Sequence, residues 1–190
     1  MAAAKSLTAA DLDKVLHYIA QHSNAQRNRM MTLMTVLAGM RVSEVAGLTL
    51  GDVRDTDGAV RSEIYLAAER VKHGHARTVF INTRLQQELA DYITSRTWLD
   101  NTQPLFNTLR GPRRSFSANT LTQHFFWLYQ RAGVRGASSH SGRKTFITSL
   151  ASQGISVFVL ASLAGHKSIA TTQKYVTVNE DMKRRAVELV

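Results

Sequence analysis

Cysteine is absent from the 190 residues. That excludes disulfides, thiolate zinc sites and a cysteine nucleophile, and it fits a reducing compartment. Proline occurs only twice, at Pro104 and Pro112, so long helices are permitted through most of the chain. No apolar run approaches the roughly 20 residues that a membrane-spanning helix needs. The opening stretch MAAAKSLTAADLDK lacks the apolar centre of a secretory leader. The expectation is therefore a protein of the cytoplasm with no membrane partner. Acids are scarce beside bases: 14 Asp+Glu face 24 Lys+Arg, a net charge of +10. Such a surplus points to a polyanion, nucleic acid first, with a merely soluble basic protein as the bland alternative.

What is present reads as helix with one small interruption. Hydrophobic residues make up 44% of the chain, ample for one compact core. Thr8 with Asp11 forms an N-cap signal, and Leu12, Val15, Leu16 and Ile19 follow at helical spacing. A Met- and Leu-rich helix is expected over 25–38, its methionines as core filler. A short helix is expected over 42–47. At 51 the pattern changes: Asp55–Gly58 is a turn signal, and Ile64, Leu66 and the run 78–81 carry β-branched and aromatic residues. These predict a small antiparallel sheet whose hairpin turn is 72–76. Helical patterning returns over 85–98. A loop over 104–114 holds Arg110, Arg113 and Arg114. A helix opens at Ser117, with Leu121, Phe125 and Leu128 on its apolar face, and ends near Gly133. Further helices are expected over 140–153, 157–163, 169–176 and 181–190. The fold class is mainly α with a small antiparallel β-sheet, in one domain over 1–190.

Five short strings carry reactive side chains: GMRVSE, ERVKHGHARTVF, SSHSGRKT, LAGHKS and TTQKYV. In order they supply Arg41, Lys72, His140 with Arg143, His166 and Tyr175. Alone, each has an ordinary explanation. Arg41 beside Glu44 could be a surface ion pair of little consequence. Lys72 could be a solvated turn residue, and Tyr175 a half-buried core tyrosine. Together they are a phenolic nucleophile, two guanidiniums, an amine and two imidazoles. That set can break a phosphodiester without a metal ion. His140 and Arg143, three apart at a helix start, would share a face where backbone N–H groups also gather. LAGHKS is not a P-loop: His166 separates Gly165 from Lys167, and Leu160 stands where the earlier glycine is required. His73 and His75 lack a third ligand and do not make a metal site. Tyr18, Tyr65, Tyr92 and Tyr129 lack comparable neighbours and are assigned to packing.

These residues resemble the tyrosine recombinases, also called the phage integrase family. The family's pattern is G-x-R-x-S-E, a hairpin lysine, H-x-x-R, G-H, and a tyrosine nine residues beyond that histidine. Here these fall on Arg41, Lys72, His140, Arg143, His166 and Tyr175, with Glu44 as the supporting acid. The likeness runs from about Thr8 to Val176. Two positions depart from it: Gly142 where leucine is commoner, and Lys144 where histidine is. Glycine there is expected to loosen the helix start, at about 1 kcal/mol. The chain is also short for the family, leaving no room for an N-terminal core-binding domain.

The resemblance implies the tyrosine recombinase catalytic-domain fold and attack by Tyr175 on a scissile phosphate, giving a 3′-phosphotyrosine and a free 5′-hydroxyl. Arg41 and Arg143 would hold the non-bridging oxygens, Lys72 would protonate the leaving oxygen, His140 would act as base toward Tyr175, and His166 would add a phosphate donor. No cofactor and no metal is implied. Arg77, Arg110, Arg113, Arg114, Arg135 and Lys144 are expected on the DNA backbone. The partner would be double-stranded DNA with an inverted-repeat site. A homo-oligomer, dimer or tetramer, would assemble on it, and accessory DNA-bending proteins are admitted. The setting would be a bacterial, phage or mobile-element cytoplasm at the nucleoid. The last helix, with Met182, Ala186 and Leu189, packs either on its own core or on a neighbouring protomer. Two alternatives stand beside this: a catalytically silent DNA-binding protein of the same fold, and relaxation of the type IB topoisomerase kind.

Overall fold

The computed structural model describes residues 4–70, 76–108, 114–178, 180–188 and 190. Helix α1 (Ala9–Ala20) starts as the sequence indicates: the Thr8 hydroxyl accepts from the Asp11 N–H, and the Asp11 carboxylate accepts from the Thr8 N–H. Helix α2 (Ala25–Leu37) is the centre of the molecule. Met30, Met31, Leu33 and Met34 are almost wholly buried on it, as the Met-rich pattern predicts. Buried on most sides, α2 packs against α1 and two later helices, α5 (Thr83–Thr94) and α7 (Ser141–Ser152). Its buried Thr32 and Thr35 hydroxyls donate to the carbonyls of Asn28 and Thr32.

Helices α3 (Val42–Ala46) and α4 (Leu50–Val53) follow, and then strands β1 (Glu63–Leu66) and β2 (Arg77–Phe80). The strands pair antiparallel, with Ile64 opposite Val79 and Leu66 opposite Arg77. Helix α5 spans Thr83–Thr94, shifted from the expected 85–98. Asn82 caps it early by accepting from the Leu85 N–H, and Trp98 folds back to donate to the Ile93 carbonyl. Helices α6 (Ala118–Arg131), α7 (Ser141–Ser152), α8 (Val157–Ala164), α9 (Ile169–Gln173) and α10 (Glu180–Val187) complete the chain. Helix α4, too short to show a period, was not expected; Thr49 and Asp52 form its capping box. The fold class is the expected one, helical with a two-stranded antiparallel sheet.

Two expectations need correction. Tyr65 does not pack: it is 66% exposed on the outer face of β1, while Tyr92 and Tyr129 are buried. Gly142 does not loosen a helix start. It lets α7 lie directly against α2, where a Cβ would meet Thr35 Oγ1 at 2.0 Å and Thr35 Cβ at 2.8 Å. Helix α10 has an Arg185 nitrogen 3.4 Å from the Ser152 carbonyl at the end of α7, with Val187 exposed.

Candidate active site

Glycine at 165 organises the site. It caps α8 in the left-handed region (φ 60°), which a side chain disfavours. The space is closed as well: a Cβ there would lie 2.6 Å from Arg77 Cδ and 3.7 Å from Arg41 Nη1. The turn 164–166 then receives one group after another. Arg41, the N-cap residue of α3, donates from Nη2 to the Gly165 carbonyl at 2.9 Å. Arg143, in the first turn of α7, donates to the Ala164 carbonyl and, at 2.6 Å, to the Gly39 carbonyl. His166 is the next residue, and its ring lies 6.2 Å from that of Tyr175, near parallel at 23°. Two guanidiniums, an imidazole and a phenol thus hang on one turn.

Beneath them sits a carboxylate. Glu44 has no exposed side-chain surface, yet each of its oxygens accepts twice. Oε1 takes Arg41 Nη1 (2.8 Å) and Arg77 Nε (3.1 Å); Oε2 takes the Arg41 backbone N–H (2.7 Å) and Arg77 Nη2 (2.6 Å). Burial alone would push the Glu44 pKa up. The bonds and charge of Arg77, then the hydrogen bonds of Arg41, outweigh it and hold the pKa below the usual carboxylate value. Arg41 and Arg77 bond this one carboxylate, and the Arg143 charge lies within its electrostatic reach, so the site keeps a positive surplus. Arg143 registers it: burial, and then the charges of Arg41 and Arg77, lower its pKa to about 9, still a cation at neutral pH.

His166 is held neutral. Burial first, then Arg143, Arg41 and Arg77, bring its pKa to about 4. Its Nδ1 lies 2.8 Å from Oγ1 of Thr172, a fully buried residue of α9. That contact occupies one ring nitrogen and leaves Nε2 for a substrate. Tyr175 is half-buried just past the end of α9, which stops at Gln173, short of the expected 176.

The remaining expected residues divide. His140 is the exposed N-cap of α7, and among the described ring contacts Tyr175 faces His166. Lys72, Arg110 and Arg113 lie outside the described residues, as do positions 72–75 of the expected hairpin turn. Arg114 and Arg135 are exposed. Lys144 donates to the Ala4 carbonyl at 2.8 Å, tying the N-terminal segment to α7. Arg77 is placed elsewhere than on the surface: it is 9% exposed, with all three nitrogens donating inward to Glu44 and the Leu163 carbonyl. Strand alternation carried that signal, since Arg77 shares the inward face of β2 with Val79. Thr172 was missed; nothing in TTQKYV separates it from Thr171. Among the described residues no three His, Asp or Glu side chains converge as metal ligands.

Residues 5–182 match the family model described as the phage integrase family. The chain belongs to that family. It is 29% identical over 185 residues to tyrosine recombinase XerA of Pyrococcus furiosus, covering 97% of this chain and 61% of the relative. It is 31% identical over 157 residues to tyrosine recombinase XerC of Pelobacter propionicus, covering 82% and 49%. The chain therefore spans roughly half to three fifths of these curated integrase-family relatives. Among solved structures, a XerA recombinase superposes with a TM-score of 0.74 at 23% identity, covering 97% of this chain and 62% of that one. The Tn1549 transposon integrase in complex with a circular intermediate DNA gives 0.77 at 21% identity, covering 100% and 67%. The catalytic domain of bacteriophage HP1 integrase gives 0.65 at 21%, covering 91% and 87%.

Proposed function

We propose that this chain is the catalytic domain of a site-specific DNA recombinase that cleaves and rejoins DNA through a 3′-phosphotyrosine. One observation carries the reading: Arg41, Arg143, His166 and Tyr175 gather at the 164–166 turn with a positive surplus and a neutral imidazole. A tetrahedral phosphate supplies the missing counter-charge. Arg forks suit its non-bridging oxygens, and their donors are held in place by carbonyls before DNA arrives.

In the step proposed, the Tyr175 oxygen attacks phosphorus and its proton leaves, with His140 as base. The bond from phosphorus to the 5′-oxygen breaks, and Lys72 delivers a proton to that oxygen. The products are a phosphotyrosine and a 5′-hydroxyl. A 5′-hydroxyl from another strand reverses the step, so the phosphodiester count is unchanged and no nucleotide hydrolysis is needed. Arg41 and Arg143 stabilise the charge that builds on the phosphate, and losing one such donor costs on the order of 10²–10³ in rate. Arg110, Arg113, Arg114 and Arg135 are assigned to the DNA backbone, each contact adding about 0.9 to the salt slope. The partner is double-stranded DNA with inverted-repeat half-sites, bound by two or four copies in the cytoplasm. Relatives named tyrosine recombinase and a structural neighbour held on DNA support the same reading.

The test is capture of the covalent adduct. The protein is mixed with a library of randomised duplexes, each nicked close to its centre. Cleavage then releases a short fragment that diffuses away and traps the adduct. Protein-bound DNA isolated under denaturing conditions is sequenced. Adducts at one inverted-repeat site, absent with Tyr175→Phe, are expected. Adducts that persist in Tyr175→Phe would remove Tyr175 as nucleophile. Salt-sensitive binding without any adduct would leave a DNA-binding protein.

A further inference from the structure

We propose that Arg77 is a positioning residue of the phosphate site, holding Glu44 from the inner side so that Arg41 stays presented to the scissile phosphate. The proposal rests on the recombinase reading above. Arg77 opens β2, and strand alternation turns it inward with Val79. Its Nε and Nη2 form a two-pronged fork on Glu44, at 3.1 and 2.6 Å, and Nη1 donates to the Leu163 carbonyl at 2.8 Å. Its Cδ floors the turn at Gly165. One side chain therefore ties together the start of β2, the carboxylate under Arg41, and the end of α8 that leads into His166.

The consequence for Arg41 follows from charge. A guanidinium carries five N–H donors. Arg41 spends one on Glu44 and one on the Gly165 carbonyl, and it is 19% exposed, so donors remain for a phosphate. Remove Arg77 and the buried Glu44 keeps Arg41 as its sole ion-pair partner among the described residues. An uncompensated buried carboxylate is costly. The cheapest relief is for Arg41 to swing its fork down onto Glu44, away from the phosphate and off the Gly165 carbonyl. Arg77 prevents this by taking one side of each carboxylate oxygen. An arginine is needed because lysine offers no planar fork for both oxygens. A DNA-contact role is excluded by burial, since every Arg77 nitrogen is directed inward.

The experiment uses the full chain and the duplex recovered by adduct capture, under single-turnover conditions. Arg77→Met is expected to keep wild-type DNA affinity and salt slope while adduct formation slows about tenfold to a hundredfold, the scale of a small misplacement of a reacting group. Arg77→Met combined with Glu44→Gln should regain much of the lost rate, because the carboxylate that captures Arg41 is no longer charged. The same duplex with a methylphosphonate at the scissile position needs less positive charge. On it the Arg77→Met deficit should shrink, which general loosening of the fold would not produce. Should Arg77→Met fail to fold by circular dichroism, Arg77→Lys decides: it keeps the charge, loses the fork, and should react at an intermediate rate with unchanged affinity. An active wild type matched in rate by the Arg77 variants overturns this proposal alone. So does a loss of DNA affinity, or a deficit equal on both substrates with no rescue by Glu44→Gln. A wild type that forms no Tyr175 adduct overturns the recombinase reading, and this proposal with it.

Discussion

The hydroxyl of Thr172 lies 2.8 Å from Nδ1 of His166, and the threonine has no exposed surface. The contact reaches from α9 to the turn that ends α8, and it occupies Nδ1, leaving Nε2 as the other ring nitrogen. Thr172→Val keeps the shape and removes the bond. Adduct formation is expected to fall by on the order of ten- to a hundredfold, with DNA affinity unchanged, whereas Thr172→Ser should keep most of the rate. Equal rates for valine and threonine in a single-turnover assay would show that the contact does not orient His166.

Acid should weaken the fold through two imidazoles. His166 and His124 both have pKa values lowered to about 4, His124 by burial first and then by Arg27 and Arg131. An unfolded histidine titrates near 6.5. As pH falls from about 6.5 to 4, the unfolded chain takes up these protons first, so stability is lost in that window and is flat above it. Depressed carboxylates add their own loss at lower pH, so the informative quantity is a difference. Melting curves from pH 4 to 8 should show a shallower slope for His124→Gln than for wild type.

Glu44→Ala should destabilise the folded chain by about 3–5 kcal/mol, the usual cost of stranding a buried ion-pair partner. The stranded group is Arg77, with 6% side-chain exposure. Urea denaturation measures this through the transition midpoint. A change under 1 kcal/mol would mean that water reaches Arg77.

Gly142→Ala should cost about 1–3 kcal/mol by overpacking α7 against α2. The added methyl would collide with Thr35 Oγ1 and Cβ. Combining it with Thr35→Gly should cost less than the two single changes summed, since the collision is then gone. Strict additivity in denaturation experiments would place the clash elsewhere.

Much of the site was legible because its chemistry is written in short strings with fixed spacing. GMRVSE gives Arg41 and Glu44 at the two ends of one helical turn, and they do form the expected pair. LAGHKS and TTQKYV bring His166 and Tyr175 together because only α9 separates them. For Arg77 the alternation with Val79 marked the inward face of the strand, but the basic side chain was assigned to DNA. Its burial is tolerable only because Glu44 and the Leu163 carbonyl, far off in sequence, meet it there. Gly142 was misread for a similar reason. The glycine answers to Thr35 on another helix, not to helix propensity. Of the fold, the α1 cap and the antiparallel pairing of the strands were readable locally. The four residues of α4 were too few to show a period, and the early end of α5 depends on Trp98 folding back.

The inward face of β2 also acts as a ruler. Arg77 and Val79 point into the protein, while Phe80 is 54% exposed. Deleting or inserting one residue within 77–80 would reverse those faces. A deletion would bring Thr78 into the inward place of Arg77 and Phe80 into that of Val79, and the guanidinium would be turned out to solvent. A point substitution at Thr78 or Phe80 leaves the alternation intact. A change of length does not, so the register of four strand residues sets whether the Arg77 fork meets Glu44.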